Sequence, residues 1–221
     1  MLKLQNISAA YRKDYLILEG IDLEVSSCEK LAVLGRNGVG KTTLANAIMG
    51  LVPFRNGNIE FNNELISNYP SHKLITKGIG YFMQGGRIFP QMNIEENIRV
   101  ACLHQNIAAL KDNIERLKPF IPVLRERQLN TGKAGNLSGG ERNQLALAMV
   151  LINKLKLLIL DEPFAGMAPK NINLMLELLN DLHSNSNFIL LLIEQNKYIA
   201  KKICNKVYEL RQKKLHPLLF T

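Results

Sequence analysis

A chain of 221 residues, 47% hydrophobic and 21% charged, can bury a sizeable core and has the makeup of an ordinary globular protein. No apolar run approaches the ~20 residues of a spanning helix. The N-terminus lacks a signal-peptide core, and Cys28, Cys102 and Cys204 are too scattered for a disulfide or metal framework, which fits free thiols in a reducing cytosol. The net charge of +9 comes from basic residues that are scattered and not interleaved with aromatics, so a solvated basic surface is favoured over a nucleic-acid face.

Residues 2–7 alternate as a strand, 21–25 read as a second, and a polar turn with Tyr11 and Tyr15 lies between them. The apolar run 31–34 predicts a buried strand, and 43–49 predicts a helix stopped by Gly50. Between them stands Gly35-Arg36-Asn37-Gly38-Val39-Gly40-Lys41-Thr42, the spacing G-x-x-x-x-G-K-[ST] of a phosphate-cradling P-loop. Its glycines let the backbone turn tightly and bring N–H groups to phosphate oxygens. Lys41 supplies a charge for the β- and γ-phosphates, Thr42 a hydroxyl for Mg²⁺, and the helix that follows adds N–H donors and a favourable dipole.

Further on, 58–66 alternate around Asn62-Asn63 and predict a hairpin. Residues 79–83 predict a short strand that ends at Gln84-Gly85-Gly86. From Asn93 to about Gln128 the pattern is helical; Asn93 with Glu96 opens it as a capping box, and Pro119 and Pro122 break it. Leu137-Ser138-Gly139-Gly140-Glu141 opens another helix, running to about Ile152. A buried strand at 155–160 ends at Asp161-Glu162-Pro163, and a helix at 170–183 leads to a strand at 188–193. Strands alternating with helices imply a mainly parallel sheet. The helical insert at 93–152 is expected as a lobe beside it.

Asp161 at the carboxyl end of an apolar strand is where an acidic residue must stand to hold Mg²⁺ beside a P-loop. The next carboxylate, Glu162, is placed to orient or deprotonate an attacking water. Ser138 and Glu141 form a capping box that can simply start a helix. Gly139 and Gly140 are poor helix residues, costing up to ~1 kcal/mol each relative to Ala. Two glycines in a first turn make sense if a phosphate must approach bare backbone.

The P-loop, Leu-Ser-Gly-Gly-Glu at 137–141 and Leu157-Leu158-Ile159-Leu160-Asp161-Glu162 together resemble the nucleotide-binding subunit of ABC transporters, over nearly the whole chain. The resemblance implies an α/β fold: a P-loop NTPase core with a mainly parallel sheet, an N-terminal antiparallel β-subdomain and an inserted helical lobe. It implies one ATPase domain over 1–221, with 1–84 and 153–221 as core and 85–152 as lobe. ATP and Mg²⁺ are the implied cofactors. The P-loop residues Gly35, Arg36, Asn37, Gly38, Val39, Gly40, Lys41, Thr42 and the following Thr43 would hold the phosphates. Tyr11 would stack on adenine. Thr42, Gln84 and Asp161 would serve the metal, with Gln84 as the Q-loop residue. Lys41, Gln84, Glu162 and Gln195 would act in hydrolysis. Ser138, Gly139 and Gly140 would contact ATP held by a second ATPase subunit, identical or related, in a head-to-tail dimer.

Three positions depart from the family pattern. Gln195 stands where a switch histidine is usual, and it cannot carry a proton at neutral pH. Ala168 replaces the usual aspartate of the loop after Glu162. The stretch 209–214 lacks its customary glycine, which argues against a tight hairpin there. Ile193-Glu194-Gln195-Asn196, Gln84-Gly85-Gly86-Arg87-Ile88-Phe89-Pro90 and Asn93-Ile94-Glu95-Glu96-Asn97-Ile98 resemble one branch, the importers of branched-chain amino acids and of urea or amides. That branch implies integral membrane permease subunits as partners, an extracytoplasmic solute-binding protein acting indirectly, and a peripheral place on the cytoplasmic face of the membrane. An ATPase of a lipid or polysaccharide exporter shares the same core motifs. A non-transport ABC ATPase acting on nucleic acid also shares them, though no nucleic acid is expected as a partner.

Overall fold

The computed structural model describes residues 1–102 and 107–218. They group into two compact units: Met1–Tyr81 with Lys156–Asp161 and the chain from Asn187 onward, and Phe82–Leu155 with Glu162–Ser186.

The first unit carries two sheets. Strands β1 (Leu2–Ala10), β2 (Leu18–Val25), β4 (Phe54–Phe61) and β5 (Glu64–Leu65) form an antiparallel sheet in the order β2-β1-β4-β5. Leu2, Leu4, Leu23, Val25, Ile59 and Phe61 turn one face of it into the core. The other face meets solvent, so these strands alternate in sequence. The expected hairpin is present: Asn62 and Asn63, at φ 50° and 64°, make the two-residue turn between β4 and β5.

The second sheet has the order β10-β9-β3-β8-β7-β6. It is built from β3 (Lys30–Leu34), β6 (Ile79–Phe82), β7 (Leu157–Asp161), β8 (Ile189–Glu194), β9 (Lys206–Arg211) and β10 (Lys214–Pro217). β3 runs parallel to β8 and to β9, and β7 runs parallel to β8. Every residue of β7 and β8 is buried. A strand covered on both faces reads as an unbroken apolar run, which is how 155–160 and 188–193 stood out in the sequence.

The register sets the functional end of the unit. Leu34 pairs with Glu194, and Asp161 pairs with Ile193. The carboxyl ends of β3, β7 and β8 therefore finish side by side, the edge at which parallel sheets bind ligands. Helix α1 (Lys41–Ile48) begins directly after the P-loop that leaves β3, and α8 (Lys197–Ile203) follows β8.

The expectation about 209–214 is corrected. β9 and β10 form a tight antiparallel hairpin, with Lys214 opposite Arg211. Its two turn residues, Gln212 and Lys213, take φ 49° and 66° without a glycine. A side chain in that conformation costs roughly 1–2 kcal/mol per residue. The surroundings offset it: the Lys213 carbonyl accepts from the Glu19 N–H at 3.1 Å, and the Lys213 ammonium lies 5.7 Å from the centre of the Tyr15 ring. These contacts come from sequence-distant β2 and its approach, so local turn chemistry alone missed them.

The second unit is helical: α3 (Ile94–Ala101), α4 (Ile107–Leu117), α5 (Pro122–Glu126), α6 (Gly139–Leu151) and α7 (Pro169–Ser186). Both expected capping boxes form, Asn93 with Glu96 at α3 and Ser138 with Glu141 at α6. Pro119 lies beyond the end of α4, whereas Pro122 opens α5 as its first residue, where its missing N–H costs nothing. Buried Gln144 accepts the Val123 N–H at 2.9 Å and so ties α6 to α5. The short helix α2 (Ser71–Thr76), in the first unit, and α8 had no periodic signature long enough to announce them.

Candidate functional site

In the first unit the P-loop hangs between the buried end of β3 and the first turn of α1. Arg36, Asn37 and Gly38 are exposed, Val39 is half-buried, and Lys41 and Thr43 are buried. Gly40 sits at φ 110°, and a Cβ there would stand 2.8 Å from the Ile17 side chain, so only glycine fits. α1 starts with no side-chain cap and no acidic residue in its first turn. Its leading N–H groups and the positive end of its dipole are thus left to an anion. The Lys41 ammonium folds back along the loop, donating to the carbonyls of Gly35 at 2.9 Å and Arg36 at 3.1 Å. Half-buried Thr42 follows it.

Beside the loop, Asp161 ends β7 with its carboxylate fully buried. Burying a carboxylate is costly unless a cation or donors compensate. Asp161 and the Thr42 hydroxyl in the first turn of α1 are hard oxygen donors of the kind Mg²⁺ prefers. Gln195, one residue past β8, donates from Nε2 to Oδ1 of the P-loop residue Asn37. This follows from the pairing of Leu34 with Glu194. Glu194 is buried and accepts the Gln195 N–H at 2.9 Å and the Asn196 N–H at 3.3 Å, which fixes the turn that presents Gln195.

Tyr11 is 44% exposed and lines a hollow of about 450 Å³ with Arg12, Asp14, Tyr15 and Ile17. Ile17 also closes on Gly40, so the hollow adjoins the P-loop. An aromatic ring beside a phosphate cradle is suited to a flat base. The Tyr11 hydroxyl accepts a hydrogen bond from Asn46 of α1 at 2.8 Å, and Tyr81 of β6 donates to the same amide at 3.1 Å. Burial first, then the nearby Asp161 charge, pushes ionisation of Tyr81 above the ordinary tyrosine range, so the hydroxyl keeps its proton.

In the second unit, Glu162 is buried and held at φ 49°, a left-handed conformation that a glutamate adopts only when its surroundings demand it. Its Oε2 accepts a 2.9 Å hydrogen bond from Nε2 of Gln84. Gln84 thereby spends its amide nitrogen on the glutamate and keeps a carbonyl oxygen as a further acceptor. Asn143 of α6 lies against the Q-loop, where a Cβ on Gly86 would stand 2.8 Å from its Oδ1. The Asn143 amide also donates to the Ala165 carbonyl at 3.2 Å, so α6 steadies the segments on both sides of the Gln84–Glu162 bond.

Ser138 caps α6, with its hydroxyl accepting the Glu141 N–H at 3.3 Å. Gly139 is exposed, and a Cβ on Gly139 or Gly140 would meet nothing within 4 Å. No packing among the described residues therefore requires either glycine. Ala168 is exposed and precedes Pro169, the first residue of α7.

Asn46, Tyr81, Asn143 and Tyr15 join these arrangements without having been singled out by motif. Their one faint signal was Asn46, a polar residue amid Leu44, Ala45, Ala47 and Ile48 in a helix. Among the described residues no three of His, Cys, Asp and Glu gather as a metal cluster, and no helix is long and apolar enough to cross a membrane.

A family model described as ABC transporter matches residues 18–165. A probable branched-chain amino acid transport ATP-binding protein, LivF, from Archaeoglobus fulgidus is 33% identical over 208 residues, spanning 94% of this chain and 87% of that protein. The lipopolysaccharide export system ATP-binding protein LptB from Escherichia coli is 29% identical over 96% of this chain and 87% of its own length. A solved structure of the ATP binding subunit of an ABC transporter shares the fold, with a TM-score of 0.85 at 23% identity over 97% of this chain and 88% of that one. With the phosphate loop, the buried strand-end aspartate and the signature helix all in place, this chain belongs to the ABC transporter family as one of its ATP-hydrolysing subunits.

Proposed function

We propose that this subunit powers import of branched-chain amino acids or related amides from the cytoplasmic face of a membrane. The observation that carries the solute class is the 33% identity to an archaeal protein named for branched-chain amino acid transport, sustained over 94% of the chain. The 29% identity to a lipopolysaccharide export ATPase favours a second reading, export of a lipid or polysaccharide. Permease subunits anchor the chain in either case.

ATP lies with its phosphates on the residues of the P-loop and the first turn of α1, Lys41 swinging from the loop carbonyls to the terminal phosphates. Thr42, Asp161 and the Gln84 carbonyl oxygen would hold Mg²⁺, which would supply positive charge against that developing on the phosphates. Glu162 orients the attacking water and takes its proton, and Gln84 holds that carboxylate in place. Gln195 reaches the phosphate region through Asn37 as a neutral hydrogen-bond donor. Ser138, Gly139 and Gly140 present bare backbone to the nucleotide of a second ATPase subunit. ATP then bridges the pair, and hydrolysis lets it open.

The glycine argument has a testable sign. Gly139→Ala is expected to leave the melting temperature unchanged or raise it, since Ala is up to ~1 kcal/mol better than Gly in a helix. ATP turnover of the assembled transporter should fall at least about tenfold, because the new methyl meets the partner's phosphate. Full turnover in this variant would remove the signature backbone from the site.

The solute reading is tested by purifying the tagged chain from detergent-solubilised native membranes and identifying its partners by mass spectrometry. Polytopic permeases with a second, related ATPase and an amino-acid-binding protein are expected. Recovery with a lipid-export assembly would select the second reading, and recovery with soluble proteins or nucleic acid alone would overturn both.

A further inference from the structure

Asn46 lies in the interior of α1, the helix whose first turn carries Lys41 and Thr42. Asparagine is a weak helix former, because its side chain competes for backbone partners. Here the side chain serves two other elements. Its Nδ2 donates to the Tyr11 hydroxyl at 2.8 Å, on the hollow beside the P-loop, and its Oδ1 accepts from the Tyr81 hydroxyl at 3.1 Å, on β6. The trio thus links the hollow beside the P-loop, across α1, to β6.

Tyr11 is 44% exposed, so without an anchor its ring would sample several rotamers. Pinning the hydroxyl sets the ring before a base arrives, which lowers the entropy lost on binding. The Tyr81 hydroxyl, donating to the amide oxygen of Asn46, holds the amide so that its nitrogen faces Tyr11.

We propose that Asn46 is a positioning residue that orients the Tyr11 ring for the nucleobase, with its amide held in turn by Tyr81. This rests on the P-loop unit being the ATP site.

The test is direct binding of ATP carrying a ribose-linked fluorophore to the purified full chain, titrated with Mg²⁺ and repeated in EDTA. Asn46→Ala is expected to weaken binding about three- to tenfold, the range for loss of a net hydrogen bond or two. Tyr11→Phe keeps the ring, loses the acceptor and sits at the surface, so it folds whatever the core tolerates; it should weaken binding comparably in EDTA. The double variant should bind no more weakly than the weaker single one, because both changes cut the same bond. Adding Tyr81→Phe to Asn46→Ala should cost nothing further, because Tyr81 acts on the ring only through the amide. Competition by inorganic tripolyphosphate, which has no base, should stay at the parent value in Asn46→Ala, which a merely structural role of Asn46 would not allow. Parent-like binding by Asn46→Ala, multiplying losses in the double variant, or weakened tripolyphosphate competition would each overturn the proposal. A parent protein that fails to bind the nucleotide would instead overturn the ATP site itself.

Discussion

Glu162→Gln is expected to cut ATP turnover by about 10²–10⁴-fold, the usual contribution of a positioned general base, while ATP binding survives. The substitution is nearly isosteric. Gln84 donates to one oxygen of the residue at 2.9 Å, and a glutamine side chain still offers an oxygen there, so the pocket keeps its shape. What disappears is the ability to take a proton from water. Gln195 cannot take over, since an amide does not titrate near neutrality, so this chain depends on Glu162 more than a relative with a histidine would. ATP that binds and is not split should hold two subunits together. ATPase assays of the assembled transporter, paired with size-exclusion chromatography of the variant in Mg-ATP, give the readouts. A variant that keeps a tenth of parental turnover, or stays monomeric at high protein concentration, would remove Glu162 from the role of base.

Much of the fold was legible because the core of the first unit is written in two different periods. Strands with one wet face alternate, as in 2–10, and strands buried on both faces are unbroken apolar runs, as in β7 and β8. Capping boxes at Asn93 and Ser138 marked helix starts because the side chains that satisfy the free N–H groups lie within three residues. The β9–β10 hairpin was misjudged for the opposite reason. Its left-handed pair Gln212-Lys213 is held by Glu19 and Tyr15, which lie far away in the sequence. Local rules cannot weigh a contact made by the rest of the chain.

The site divides in the same way. Lys41, Thr42, Asp161 and Glu162 were readable because phosphate and cation chemistry restricts residue type at fixed spacing. Asn37 was readable only as a variable position of the loop, yet it meets Gln195 because β3 and β8 pair in register. Asn46 and Tyr81 carry no motif, since a hydrogen bond between side chains on a helix and a strand leaves no periodic trace. The φ of 49° at Glu162 was also invisible in sequence, although it is the feature that sets this residue apart from an ordinary acidic strand end.

Lys41→Ala is expected to lower ATP turnover by roughly 10²-fold or more, as removal of a positioned charge from a transition state does. Its effect should exceed that of a simple charge loss. In this structure the ammonium holds the carbonyls of Gly35 and Arg36 at 2.9 and 3.1 Å, so Lys41 shapes the loop as well as meeting the phosphates. Without it the Gly35 carbonyl loses that donor and the Arg36 carbonyl is left with the longer 3.5 Å bond from the Val39 N–H, so the loop must find its phosphate-binding shape after the ligand arrives. Nucleotide affinity should therefore fall together with turnover, in contrast to Glu162→Gln, where only turnover falls. Lys41→Arg offers a further check: its charge is kept, but a buried position built for a compact ammonium receives a planar fork. Activity should recover only in small part. Equal turnover in Lys41→Ala and the parent would show that the phosphates are held by backbone alone.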